Sequence, residues 1–354
     1  MELARILAQH PDHGLRPVGS SIPERVRFDN AYVENWSLRR DVGIMARTIW
    51  IVLEGVGAMA LVAARTSVGQ LPNFLIIGAM KAGTSSLYHY LRVHPQVFMP
   101  AAKELSFFAR EPEGRRNLEW YRKQFVAARP DATAVGEAST MYTKYPRIPG
   151  VPERIEACIP RAKLIYVVRD PIERIRSHYQ HRVAVGAERA PLERAVFEKP
   201  IYLDCSRYAM QIERYLRCFP REQLLVITSE SLRNDRQATV TRVYEFLGVD
   251  ADFVPPNLDR EFYRTDERVP YPPLAWRMRR ALKKRFPLTG RIRFGGLPPV
   301  RALGRLYDGM TGARWSAPPA PTDETRDELV RLLGQDVRRL HAYMPAGFDG
   351  WGIA

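Results

Sequence analysis

NFLIIGAMKAGTSSLYHYLRVHP, residues 73–95, decides the fold. The run from Asn73 to Ala79 is short, unbroken and apolar. It is bounded by Pro72 and Gly78, the pattern of a strand buried on both faces. Leu87, Tyr90 and Leu91 then fall at helical spacing, and Pro95 ends the segment. Between strand and helix lies Lys81-Ala82-Gly83-Thr84-Ser85-Ser86, a turn rich in hydroxyls with one lysine. Such a turn presents unpaired backbone N–H groups and the positive end of a helix dipole, which together attract an anion. Gly83 permits close backbone approach, Thr84 and Ser85 offer hydroxyl donors, and Lys81 offers a mobile point charge.

Working outward, AVGEAS (134–139), KLIYVVRD (163–170) and QLLVITSE (223–230) read as further strands. Helices are predicted over 151–159, with Pro152 in the first turn, from Pro171 through Tyr179, and over 206–219. Two more are predicted over 237–248, closed by Gly248, and over 325–344. Strands alternating with helices predict an α/β fold, an open parallel sheet with helices on both faces. Residues 250–322 are rich in Pro, Gly and Arg. They read as long functional loops around one basic helix, WRMRRALKKRF (276–286).

The composition, 45% hydrophobic and 26% charged, excludes a disordered or collagen-like chain. The net charge of +15 points to an anionic partner such as a nucleotide, nucleic acid, acidic glycan or anionic lipid surface. Nucleic acid has only this charge in its favour, since no reader motif accompanies it. Cys158, Cys205 and Cys218 are too few and too scattered for a disulfide framework or a zinc site, so a reducing compartment is expected. The start of the chain, with Glu2, His10 and His13 and no early apolar core, does not read as a signal peptide, and the expected location is cytoplasmic. Residues 43–64 are mostly apolar but interrupted by Arg47 and Glu54. They read as an interfacial or docked helix, with peripheral contact at the inner face of the plasma membrane.

A second anion site is expected beyond the strand at 163–168. Arg169 ends that strand at the edge where open α/β sheets bind ligands, and Ser177 follows two helical turns into the next helix. Two other readings stay open: Arg169 in a salt bridge with Asp170 or Glu173, and Asp170 as a magnesium-binding acid of a P-loop kinase or NTPase. The first loop departs from that of nucleoside triphosphatases. Gly78 and Gly83 keep the G-x-x-x-x-G spacing, but Thr84 stands where the lysine belongs, and the lysine has moved to position 81. No metal-ligand set is visible. A non-catalytic basic protein binding glycans or membranes is the remaining alternative. His178 and His181 share a helix face and are expected at the surface or rim.

Over roughly residues 71–350 the chain resembles sulfotransferases that use 3′-phosphoadenosine 5′-phosphosulfate (PAPS), in the branch of the heparan sulfate N- and O-sulfotransferases and their bacterial relatives. KAGTSSL resembles that family's 5′-phosphosulfate loop, Arg169 to Ser177 its 3′-phosphate motif, and KELSFFA (103–109) its segment of an acidic residue and two aromatics. The resemblance implies that Lys81 touches the leaving oxygen and that Ala82, Gly83, Thr84, Ser85 and Ser86 hold the 5′ end of the donor. It gives Arg169 and Ser177 to the 3′-phosphate, and a late cofactor loop to Gly312 and Arg314. Glu104 becomes the general base, in a setting where Phe107 and Phe108 would wall the carboxylate. The local alternative is an ion pair with Lys103 or Arg110. Lys103 and Glu137 fall on the acceptor side, where Ala138 replaces a lysine of the heparan enzymes. Residues 1–65 resemble the C-terminal tail of bacterial exopolysaccharide sugar-phosphate transferases, through Tyr32, Asn35-Trp36-Ser37-Leu38, Asp41, Ile44 and Arg47-Thr48. A tail over 1–70 and a catalytic domain over 71–350 are therefore expected, with a glycan, a lipid-linked saccharide or a small molecule as acceptor.

Overall fold

In the computed structural model the described residues are 69–111, 116–260, 262 and 320–353. The tail over 1–65, the 43–64 helix, the basic helix over 276–286, Gly312 and Arg314 lie outside them.

Five strands form one parallel sheet: β1 (Phe74–Gly78), β2 (Val97–Phe98), β3 (Ala134–Ala138), β4 (Lys163–Val168) and β5 (Leu224–Thr228), in the order β2-β3-β1-β4-β5. The helices are α1 (Thr84–Leu91), α2 (Leu118–Lys123), α3 (Val151–Cys158), α4 (Pro171–Ala184), α5 (Leu192–Glu198), α6 (Ile201–Asp204) and α7 (Tyr208–Tyr215), then α8 (Ser231–Asn234), α9 (Arg236–Leu247) and α10 (Asp323–Leu340). Every residue of β1 and β3, and all of β4 after Lys163, is buried. Successive strand residues point to opposite faces, so both faces of the sheet are covered, as the unbroken apolar runs demand. β2 is only two residues long, and α5 and α6 fill the chain between the α4 helix and α7. None of these three was anticipated from the sequence.

β1 lies between β3 and β4, with Ile76 opposite Ala138 on one side and Ile165 on the other. From β1 the chain runs first to the β2 edge and later to the β5 edge, so β1 marks the topological switch point. The crevice outside the carboxyl ends of β1, β3 and β4 is where such a sheet binds ligands. Close packing at β1 leaves no room for error. A methyl group at Gly136 would sit 2.4 Å from the ring of Phe74, itself wholly buried. Gly136→Ala is expected to destabilise the fold by about 1–3 kcal/mol through overpacking, read as a lowered denaturant midpoint with unchanged slope.

Candidate functional site

The first loop hangs from β1. Ala79 N donates to Val167 O at 2.7 Å, fixing the exit of β1 to β4. The chain then turns through Lys81 at φ 72 and Gly83 at φ 96 before α1 begins. A non-glycine residue in the left-handed region is uncommon and costs free energy, so Lys81 is held there by its surroundings. Gly83 occupies the N-cap of α1 with no side-chain cap, and no acidic residue stands in the first turn. The positive helix end is therefore not neutralised from within that turn.

A wholly buried arginine supports this loop from below. Arg174 donates to Ser206 Oγ at 2.6 Å, to Tyr202 O at 2.6 Å and, more loosely, to Met80 O at 3.4 Å. These partners carry no negative charge, so the guanidinium adds to the positive potential under the loop. Next to it, His178 is buried, which corrects the expectation of a surface or rim position. The register of α4 turns Arg174 and His178, one turn apart, inward together. Burial first, and then the Arg174 charge, push the His178 imidazole far below its ordinary range, so it stays neutral. Lys144, buried on the loop after β3, is likewise pushed down by burial.

The second expected anion residue, Arg169, stands at the end of β4. Its guanidinium reaches Lys81 O and Glu173 Oε2, both at 3.4 Å, long for such bonds. Its backbone is fixed more tightly, with Tyr208 Oη donating to Arg169 O at 2.7 Å. Arg169 and the Lys81 loop are thus brought together across the switch point. The Glu173 ion pair allowed by the sequence is present as well. Asp170 uses Oδ1 to cap α4, accepting from Ile172 N at 2.8 Å and Glu173 N at 3.0 Å. That is a helix-capping role. Ser177 is buried in the second turn of α4.

Glu104 stands on a third segment. Its Oε2 accepts from Thr140 N at 2.8 Å and its Oε1 from Lys103 Nζ at 2.8 Å. Lys103 Nζ also reaches Thr84 Oγ1 at 3.3 Å, so it bridges the carboxylate and the first loop. The ion pair that local sequence offered for Glu104 therefore forms, at the edge of the crevice. The expected aromatic wall is directed elsewhere. Phe107 stacks on Tyr121 with ring centres 4.2 Å apart, and Phe108 packs against Tyr121 and Tyr142. Glu104 at φ 63 and Ser106 at φ 54 are both left-handed.

Glu137, expected on the acceptor side, is buried in β3 with three hydroxyls around it. Tyr121 Oη donates to Oε1 at 2.9 Å, Tyr142 Oη at 2.5 Å, and Ser139 Oγ donates to Oε2 at 2.7 Å. Burial raises its carboxyl above the ordinary range, and the three hydrogen bonds pull against that. Sequence reasoning missed Arg174, Ser139 and Thr140. The available signal for Arg174 was its place beside Ile172, Ile175 and His178 on a helix with a buried face.

Among the described residues no cluster of acidic, histidine or cysteine side chains is arranged to hold a metal ion, and no helix is long and apolar enough to cross a membrane.

The chain is similar to known proteins in sequence and in fold. A sulfotransferase-domain family model matches residues 71–266, more than half of the chain. The human bifunctional heparan sulfate N-deacetylase/N-sulfotransferase 3 is 33% identical over 201 residues, 51% of this chain and 22% of that protein. The human heparan sulfate glucosamine 3-O-sulfotransferase 3B1 is 34% identical over 189 residues, 51% of this chain and 47% of that protein. The chain thus spans less than half the length of either relative. The crystal structure of a sulfotransferase from Alicyclobacillus acidocaldarius superposes with a TM-score of 0.56 at 26% identity, covering 80% of this chain and 99% of that one. The matched span takes in β1 to β5 and every crevice residue described above, and on it the chain belongs to the sulfotransferase family.

Proposed function

We propose that this chain moves a sulfuryl group from PAPS to a hydroxyl or amine of a glycan. The observation that carries this reading is the approach of Arg169 to the Lys81 loop at the switch point, with Glu104 tied to the same loop through Lys103. A donor with two separated phosphate groups needs two cationic grips on one sheet edge. The residues present fit one. The uncapped α1 terminus and the loop hydroxyls suit the 5′ end, and the loosely held Arg169 fork suits the 3′-phosphate.

In the transfer, the acceptor oxygen or nitrogen forms a bond to sulfur while the bond from sulfur to the 5′-phosphate oxygen breaks. Negative charge builds on that oxygen, and Lys81 sits on the loop that faces it. The acceptor proton passes to the Glu104 carboxylate. Thr140 and Lys103 hold that carboxylate at the crevice, where Lys103 also borders the acceptor side. Lysine and the helix terminus supply the positive charge that a magnesium ion supplies in phosphoryl transfer. Two relatives named for heparan sulfate support a glycan acceptor. The tail over 1–65 favours a carbohydrate or lipid-linked saccharide.

A thermal-shift titration separates the readings. Stabilisation by 3′,5′-adenosine bisphosphate and not by ATP–Mg²⁺ supports the donor assignment, and the reverse favours a kinase or NTPase. Transfer of ³⁵S from labelled PAPS to a panel of glycans, lipid-linked saccharides and phenols then identifies the acceptor class. No transfer to any of them would leave the non-catalytic reading standing. Arg169→Ala is expected to weaken adenosine bisphosphate binding by about 1.5–3 kcal/mol, the range for a hydrogen bond to a charged group, while the rate at saturating donor stays near wild type.

A further inference from the structure

We propose that Glu137 is a positioning residue: through Ser139 and Ser106 it holds the backbone that carries Glu104 into the crevice, and it does not touch the acceptor. The inference rests on the reading of Glu104 as the base.

Glu137 is sealed inside the sheet, with a relative exposure of 1%, so no acceptor reaches it in this structure. Its Oε1 is occupied by the hydroxyls of Tyr121 and Tyr142. Its Oε2 takes the Ser139 proton at 2.7 Å, and Ser139 Oγ in turn accepts from Ser106 N at 2.9 Å. On the other side of the same segment, Glu104 N donates to Ala138 O at 3.0 Å. Two bonds to the end of β3 therefore clamp residues 104–106, in which Glu104 and Ser106 are both left-handed. Left-handed L-residues persist only where surrounding contacts over-determine them. The Ser139 relay is one such contact, and its polarity depends on Glu137. A carboxylate only accepts, so the single Ser139 proton points to Oε2 and a lone pair is left for Ser106 N. An amide at position 137 can place its NH₂ group against Ser139 instead and reverse the relay.

The test uses the full chain with labelled PAPS, measuring transfer to a heparan-derived polysaccharide and to water. Ser139→Ala and Glu137→Gln are expected to lower kcat by about tenfold or more, since displacing a reacting group by about 1 Å can cost about 100-fold. Donor KM and adenosine bisphosphate affinity should stay within about twofold, as a misplaced base predicts. Tyr121→Phe removes a bond from the same carboxylate without touching the relay, and its kcat should stay near wild type. A fall for Tyr121→Phe as large as for Ser139→Ala would reduce Glu137 to general scaffolding and overturn the proposal. So would an undiminished kcat for Ser139→Ala beside an impaired Glu104→Gln. If Glu104→Gln itself keeps full rate, the base assignment fails first and the positioning role falls with it. Should Glu137→Gln not fold, Ser139→Ala decides.

Discussion

Lys81→Ala is expected to lower the rate of sulfuryl transfer by about 10²–10³-fold, or about 2.7–4 kcal/mol, the loss typical of one donor aimed at developing charge. The substitution is clean for a structural reason. Lys81 sits at φ 72, and alanine meets the same left-handed penalty as lysine, so the backbone cost is unchanged and the ammonium group is removed. The Lys81 carbonyl that accepts from Arg169 also survives. Single-turnover transfer of ³⁵S from saturating labelled donor measures the effect. A rate near wild type would remove Lys81 from the leaving-group role.

Glu104→Gln is expected to cost about 10²–10⁴-fold in kcat, the range for general-base catalysis. Glutamine keeps an oxygen for Thr140 N, so the segment stays in place while proton acceptance is lost. The new amide no longer pairs with Lys103, and a modest change in donor affinity follows from the Lys103 contact with Thr84. Full activity for this variant at every pH tested would require another base.

The sheet was readable because its strands advertise themselves. β1, β4 and β5 are continuous apolar runs at strand length, and Gly248 closes α9 in the left-handed conformation expected of a helix end. The β2 strand has two residues, too few to show any period, and α5 and α6 are shorter than the windows in which helical spacing becomes visible. At the crevice, the turn carrying Lys81 and Gly83 and the strand-end place of Arg169 were legible because such turns and strand ends are local in sequence. Glu137 was not. Its partners Tyr121 and Tyr142 lie 16 and 5 residues away on other segments, and only tertiary packing brings their hydroxyls to one carboxylate. A charged residue in the middle of a strand buried on both faces was nevertheless a signal for an internal role. The same applies to His178 and Arg174, one turn apart on α4 and both inward.

The left-handed backbone at Lys81, Glu104 and Ser106 bears on how this protein can be stabilised. Each of the three costs about 1–3 kcal/mol that glycine would not incur. Selection for heat resistance alone would therefore drift toward glycine at these positions and relax the segments that carry the ammonium and the carboxylate. With Lys81 and Glu104 in the roles proposed, hardier descendants obtained that way turn over more slowly, and gains in robustness that spare the rate come from positions remote from the crevice.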